Sequence, residues 1–201
     1  MPRSVRRGPA VAPLNGMVAH DARGFSLVEA VIAVSVLAFG VSAVAQVVLA
    51  SARANVASQQ AAVVQQAARE RMEQLRALAW TSDPSLVPVS DWSSDLTTTP
   101  ARASGGVGLG VSPADTLLSN IAGYCDFLNA RGAWVAGGTQ APPGTAFVRR
   151  WSVAPTDALA DTLTLQVVVV PASAATGQAA VSAARGVNGA WLTDMRTRRV
   201  Q

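Results

Sequence analysis

The sequence has no lysine, one histidine and one cysteine among its 201 residues. A single cysteine, Cys125, excludes an intramolecular disulfide and a thiolate cluster. The histidine, His20, lies in a short N-terminal segment, so the rest of the chain has no imidazole for a Ser-His-Asp or Cys-His arrangement or for a histidine-based metal site. We therefore expect no enzyme activity, no cofactor and no bound metal.

The carboxylates that could form a catalytic pair lie in turn-like segments. These pairs are Asp91 with Asp95 and Asp157 with Asp161. Asp side chains in such segments commonly accept hydrogen bonds from nearby backbone N–H groups, so we interpret all four as turn caps. We interpret Cys125 as a small buried residue and not as a nucleophile. No glycine-rich loop follows a strand and opens a helix, as phosphate binding requires.

Basic residues are concentrated at the N-terminus. Arg3, Arg6, Arg7 and Arg23 precede residue 25, against one acid, Asp21. The remainder has 12 arginines and 11 acids, so the high isoelectric point belongs partly to this basic head. Nucleic-acid binding uses a basic face of a folded domain, so the distribution argues against it. A basic head before an apolar run is typical of a membrane segment with its positive end in the cytoplasm.

An apolar run follows the basic head. Residues 25–52 contain one charged residue, Glu29, and the stretch without charge, 30–52, has 23 residues. A helix needs about 20 apolar residues to cross a bilayer. We therefore predict that residues 25–52 form a transmembrane helix. Residues 1–24 contain proline and glycine and show no helical or strand period, so they are predicted to form a leader.

Helical periodicity continues beyond the apolar run. Apolar residues recur at steps of three and four along one narrow stripe, namely Ala57, Ala61, Val64, Ala68, Met72, Leu75 and Ala79. Asp83-Pro84 ends the pattern, because the residue before proline is disfavoured in a helix. We predict one long helix over residues 25–80.

Residues 81–201 are predicted to form a globular domain. The first part, 81–116, is rich in Ser, Thr, Asp, Pro and Gly and is predicted to be a loop region. Apolar and polar residues alternate in 147–153 and 162–170, which predicts strands. Asn188-Gly189 predicts a type I′ turn that joins 179–185 to 190–197. The result is an α+β fold, in which a C-terminal antiparallel sheet packs on the stripe of the long helix.

The segment between the basic head and the apolar run has a characteristic order. It reads Arg23-Gly24-Phe25-Ser26-Leu27-Val28-Glu29: a cation before a glycine, an aromatic residue after it, and an acid five residues past the glycine. A carboxylate in a membrane span is costly, by about 2.5–3.5 kcal/mol at the helix centre and less towards the interface. Such an acid is usually retained for a partner.

This segment resembles the prepilin leader and cleavage motif of type IV pilins and type II secretion pseudopilins. In that family an inner-membrane prepilin peptidase cuts after the glycine and methylates the new terminal amine. The resemblance implies cleavage between Gly24 and Phe25, with Phe25 as the N-methylated residue. It also implies that Glu29 pairs with the terminal ammonium of a neighbouring subunit during assembly.

The resemblance extends to localisation and role. Ser35–Gly40 and Arg69–Arg76 resemble helix segments of PilV-type minor pilins, while the span lacks the kinking proline of many major pilins and the chain lacks their paired cysteines. We expect a pilin-like fold and a single-pass inner-membrane protein with a cytoplasmic leader and a periplasmic C-terminal domain. The mature subunit then primes or caps a type IV pilus or related filament, with other pilins or pseudopilins as partners through the N-terminal helix.

Several alternatives stay open. The filament system could instead be a type II secretion pseudopilus or a competence system. Ala43-Val44-Ala45 permits conventional signal peptidase cleavage before Gln46, which would release a secreted binding domain. A DNA-uptake pilin would need a basic tip patch, although we favour a solvated face without a ligand; the candidate residues are Arg149, Arg150, Arg196, Arg198 and Arg199.

Overall fold

A computed structural model describes residues 24–156, 161–186 and 188–200. The chain forms two compact units, Met1–Val48 and Leu49–Gln201. Each unit is described separately below. The predicted leader up to residue 23, together with His20 and Asp157, lies outside the described residues.

Helix α1 spans Leu27–Ala77, and its first part belongs to the N-terminal unit. It has the length and composition of a membrane span, with a mean hydropathy of 2.3 in its most apolar window, and none of that window is buried. Ser35 and Ser42 turn their hydroxyls back to the carbonyls of Val31 and Ala38, at 2.8 Å in both cases. These bonds leave little unpaired polar surface within the apolar segment.

The end of α1 differs from the prediction. The helix ends at Ala77, before Asp83-Pro84, and strand β1 (Trp80–Ser82) follows it. Trp80 is buried and meets Trp92 edge to face, with ring centroids 5.9 Å apart. Burial of this large ring favours an extended chain here over a further helical turn. Ala79, assigned to the buried stripe, is consequently exposed.

The C-terminal unit contains a five-stranded antiparallel sheet in the order β4-β3-β5-β6-β7. The strands predicted at 147–153 and 162–170 are confirmed as β5 and β6, which pair along nine positions. The strands of this sheet are β3 (Cys125–Leu128), β4 (Trp134–Gly137), β5 (Phe147–Pro155), β6 (Thr162–Pro171) and β7 (Ala190–Thr197).

A second, smaller sheet lies partly within the predicted loop region 81–116. It has the order β2-β1-β8, where β2 is Pro88–Ser90 and β8 is Arg199–Val200. β1 pairs with β2 in antiparallel fashion and with β8 in parallel. The C-terminal strand β8 therefore pairs with the strand that directly follows α1.

The predicted hairpin at Asn188-Gly189 is wrong. Gly177–Arg185 forms helix α2 and not a strand, and β7 pairs with β6 instead. The segment is rich in alanine, the strongest helix former, and buries Ala180 and Ala184. The glycine at position 189 is explained by packing and not by a turn. A Cβ atom there would collide with the backbone of Ala183, so glycine permits a close approach to α2.

The apolar stripe of α1 covers one face of the five-stranded sheet, as predicted. Its buried residues form one cluster with residues of β5, β6 and β7, and the members from α1 are Val64, Ala67, Ala68, Met72 and Leu75. A second cluster lies around Phe127, Val148, Val168 and Val170, which alternate with residues of the first cluster, and it includes Ala184 of α2. Because both faces of β6 are covered, its run of valines from 167 to 170 is buried throughout.

A buried carboxylate joins α1 to this sheet. Asp126 on β3 is fully buried and accepts hydrogen bonds from Arg149 Nε at 3.0 Å, Arg149 Nη2 at 2.7 Å and Arg71 Nη2 at 2.5 Å. Arg71 also donates to the carbonyl of Leu96, and its guanidinium lies over the Trp151 ring, 4.2 Å from the centroid. Burial, followed by the neighbouring Arg149, lowers the pKa of Arg71 to about 10, against the opposing effect of Asp126.

We expect Asp126→Asn to lower the free energy of unfolding by about 3–5 kcal/mol, because it leaves two buried guanidinium groups without their anion. Asp194→Asn is the matched control. It breaks the ion pair with Arg76, whose side chain is 44% exposed, and should cost at most about 1 kcal/mol. Urea unfolding of both variants in detergent, followed by tryptophan fluorescence, measures the difference. Equal losses would contradict a special role of Asp126.

Candidate processing and assembly site

The Gly24–Phe25 peptide bond lies outside regular secondary structure. Residues 24–26 precede α1, and the Phe25 side chain is 78% exposed. A Cβ atom at Gly24 would meet nothing within 4 Å. Exposed chain without regular structure is the preferred substrate of proteolysis. A protease can therefore reach this bond without unfolding α1.

Glu29 lies in the first turn of α1 and is exposed. Its backbone N–H donates to the Ser26 hydroxyl at 3.1 Å, which satisfies one of the unpaired N–H groups at the start of a helix. An acid at this position also interacts favourably with the helix dipole. Ser26-Leu27-Val28-Glu29 has the spacing of a capping box. This spacing is visible in the sequence and predicts where the helix begins.

The carboxylate of Glu29 has no ion-pair partner among residues 24–156, 161–186 and 188–200. Apolar residues surround it along α1, and Leu27, Val28 and Ile32 are all more than half exposed. An apolar surface of this extent marks contact with lipid or with another protein. The first part of α1 is thus not the buried helix of a soluble domain.

The alternative cleavage site has a different setting. Ala45 and Gln46 lie inside α1, with helical residues on both sides. A cut before Gln46 would have to open a helix, whereas a cut after Gly24 would not. The structure thus favours the bond after Gly24 on accessibility.

Two of the proposed turn caps are confirmed. Asp91 accepts hydrogen bonds from the N–H groups of Ser93 and Ser94 at 3.0 and 2.9 Å. Asp95 accepts from the N–H and hydroxyl of Thr97 at 2.8 and 2.6 Å. Asp157 lies outside the described residues, so its interpretation as a turn cap stays a prediction. Within the described ranges, no group of three His, Cys, Asp or Glu side chains could hold a metal ion.

The environment of Cys125 agrees with its interpretation as a buried residue. Its thiol donates to the carbonyl of Gly138 at 2.9 Å, and the carbonyl oxygen of Ile121 lies 3.2 Å from the sulfur. Burial raises the pKa of the Cys125 thiol to about 11. The thiolate, which is the nucleophilic form, is therefore scarce at neutral pH.

Two predictions are wrong for the two arginines of β5: they belong neither to a basic tip patch nor to a solvated face. Arg149 and Arg150 are 2% and 0% exposed. They are neighbours in a strand and point to opposite faces, both of which are covered. Arg149 binds Asp126, and Arg150 donates to Asn120 Oδ1 at 2.7 Å and to the carbonyl of Ala175.

The C-terminal arginines differ in burial and in their contacts. Arg198 lies over the Trp80 ring, 3.8 Å from the centroid, and donates to the carbonyl of Thr81 at 2.8 Å. Arg196 is half-buried and donates to the carbonyl of Leu75 at 3.2 Å. Arg199 is exposed. These positions do not form one patch with β5, so the structural support for a DNA-binding tip is lost.

Comparison with known families identifies one segment. Residues 20–45 match the model of the prokaryotic N-terminal methylation motif. No curated protein and no solved structure matches the chain. The matched segment contains Gly24, Phe25 and Glu29, together with most of the apolar part of α1. The chain thus carries a prepilin-type motif, and residues 24–45 of it, which the structure describes, are exposed.

We expect Cys125 to react with iodoacetamide about a hundredfold more slowly in the folded protein than in urea at pH 8, because a pKa near 11 instead of 9 reduces the thiolate fraction by that factor. Mass spectrometry of samples quenched at intervals measures both rates. Equal rates would show that the thiol is accessible and would contradict its burial.

Proposed function

We propose that the protein is a minor pilin or pseudopilin, a structural subunit that primes or caps a type IV pilus or a related filament. The proposal rests on a sequence motif and an exposed peptide bond that occur at the same place, the start of α1. The N-terminal methylation motif matches residues 20–45, and within it the Gly24–Phe25 bond is exposed and directly precedes an apolar helix. The motif and this helix support the type IV pilin-like family and a membrane-anchored subunit.

Processing at this bond is the first step of the proposal. Prepilin peptidase, the first partner, cuts between Gly24 and Phe25 and methylates the amine of Phe25. Arg23 and the arginines before it hold the leader in the cytoplasm, and the apolar part of α1 crosses the inner membrane. The C-terminal domain then lies in the periplasm. The chain acts as a substrate in these steps and has no enzyme activity of its own.

Assembly is the second step. A carboxylate in an apolar environment is costly unless it is paired. Glu29 has no cation within ion-pair distance among the described residues, whereas cleavage creates a new ammonium on Phe25 of every subunit. Pairing of Glu29 with the ammonium of a neighbouring pilin or pseudopilin neutralises both charges in lipid. The apolar surface of α1 supplies the rest of the contact between subunits.

The minor role rests on what the chain lacks. Its apolar segment contains no proline, and Cys125 has no second cysteine to pair with. Many major pilins carry both features. A type II secretion pseudopilin and a competence pilin are the alternatives within the same class.

We expect Glu29→Ala to leave membrane insertion and cleavage unchanged and to lower incorporation into filaments at least about tenfold, the factor that corresponds to 1.4 kcal/mol. Glu73→Ala is the matched control, because Glu73 is an exposed acid of the same helix. The amounts of both variants in sheared filaments and in membranes, measured by immunoblot in the native host, give the ratio. Normal incorporation of Glu29→Ala would refute the pairing.

A further inference from the structure

The five-stranded sheet has two edges, and one of them is covered. At the β4 edge, Trp134 Nε1 donates to the carbonyl of Thr97 at 2.9 Å. Thr97 also lies against Gly137, where a Cβ atom would be 2.6 Å from the Thr97 carbonyl oxygen. The segment around Thr97 thus covers this edge. Covered edges are protected against pairing with other chains.

The β7 edge has no such cover from another strand. β7 pairs with β6 along eight positions, from Ala190 to Thr197. No strand within residues 24–156, 161–186 and 188–200 pairs with its other side. A long open edge offers unpaired backbone N–H and C=O groups to an incoming strand.

A groove of about 640 Å³ follows this open edge. Four consecutive residues of β7, Asp194 to Thr197, line it, together with Arg76, Trp80, Thr81 and Arg199. Successive residues of a strand point to opposite faces, so a groove that touches four in a row reaches the edge of β7, and it also adjoins β1. Met195 is 61% exposed there, and its flexible thioether suits an adaptable contact.

The charges of the groove are not balanced by carboxylates of the described residues. Arg76 is satisfied by Glu73 at 2.6 Å and by Asp194 at 2.8 Å. Arg196 and Arg199 have no carboxylate within 4.0 Å among the described residues, and Arg196 donates only to the carbonyl of Leu75. Burial lowers the pKa of Arg196, as does the nearby Arg199, while Asp194, whose carboxylate binds Arg76, opposes both effects. Two neighbouring guanidinium groups therefore remain available to acidic groups of a ligand.

We propose that the β7 edge and its groove dock an extended acidic segment of a partner protein. The segment adds as a sixth strand beside β7, and its carboxylates bind Arg196 and Arg199. Backbone pairing supplies affinity and the two arginines supply selectivity for acidic sequences. This surface is distinct from Gly24, Phe25 and Glu29, so it adds a lateral partner to the subunit and does not depend on the proposed processing.

The probe for this site is a fluorescein-labelled eight-residue peptide that alternates valine and glutamate. Two control peptides carry N-methyl groups on alternate amides, one in each phase, so that each keeps the charge but loses strand pairing along one of its two edges. We expect saturable binding of the unmethylated peptide to the full chain in detergent, measured by fluorescence anisotropy, and at least about tenfold weaker binding of the control peptide whose methyl groups lie on the edge that faces β7. Equal binding of the three peptides would overturn strand addition.

The protein variants test the charges. Arg199→Glu should weaken binding about five- to tenfold, because it replaces attraction by repulsion at the rim of the groove. Arg131→Glu is the matched control, since Arg131 is exposed but does not line the groove, and it should bind as the unmodified chain does. Equal loss in both variants would indicate nonspecific attraction and overturn the site. Displacement of the peptide by inorganic phosphate at equal concentration would show a simple anion site and also overturn it.

These outcomes are separate from those of the proposed function. The N-terminus of the same preparation reports processing, and peptide binding reports the β7 edge. A chain that starts at methylated Phe25 but binds no peptide would overturn only the docking site.

Discussion

The buried carboxylate of Asp126 is the interaction on which the C-terminal unit depends most. It lies where α1, β3 and β5 meet, and it receives one guanidinium from the helix and one from the neighbouring strand. Arg71 can reach it only while the stripe around Val64 and Leu75 faces the sheet. Apolar packing alone would tolerate small rotations of a helix rich in alanine. The ion cluster, with Trp151 against Arg71, selects one orientation.

The fold was predictable where apolar residues follow a local pattern in the sequence. This is the case for the apolar segment, the stripe of α1, and strands β5 and β6. Prediction failed where such a pattern is absent or where distant residues decide. All four residues of β3 are buried, so it has no alternation. Arg71, Asp126 and Arg149 are far apart in the sequence, and charged residues are normally exposed, so nothing local indicates their cluster.

The candidate processing site and the β7 edge also differ in how far the sequence predicts them. In the proposed function, Gly24, Phe25 and Glu29 form a linear signal that a processing enzyme recognises. Their order in the sequence therefore carries the information. The β7 edge depends on which strand lies last in the sheet. The sequence favoured a hairpin at Asn188-Gly189, which would have placed residues 179–185 beside β7 and closed this edge. Because those residues form α2, they do not close this edge, and no other strand in the described part of the chain pairs there.

We propose a processed, membrane-anchored filament subunit, and its C-terminal domain packs on the second half of α1. The most direct test is the intact mass and N-terminal sequence of the protein purified from membranes of its native host. The account predicts a chain that begins at Phe25 with a methylated amine. A chain that begins at Gln46, or one that retains residues 1–24, would contradict it.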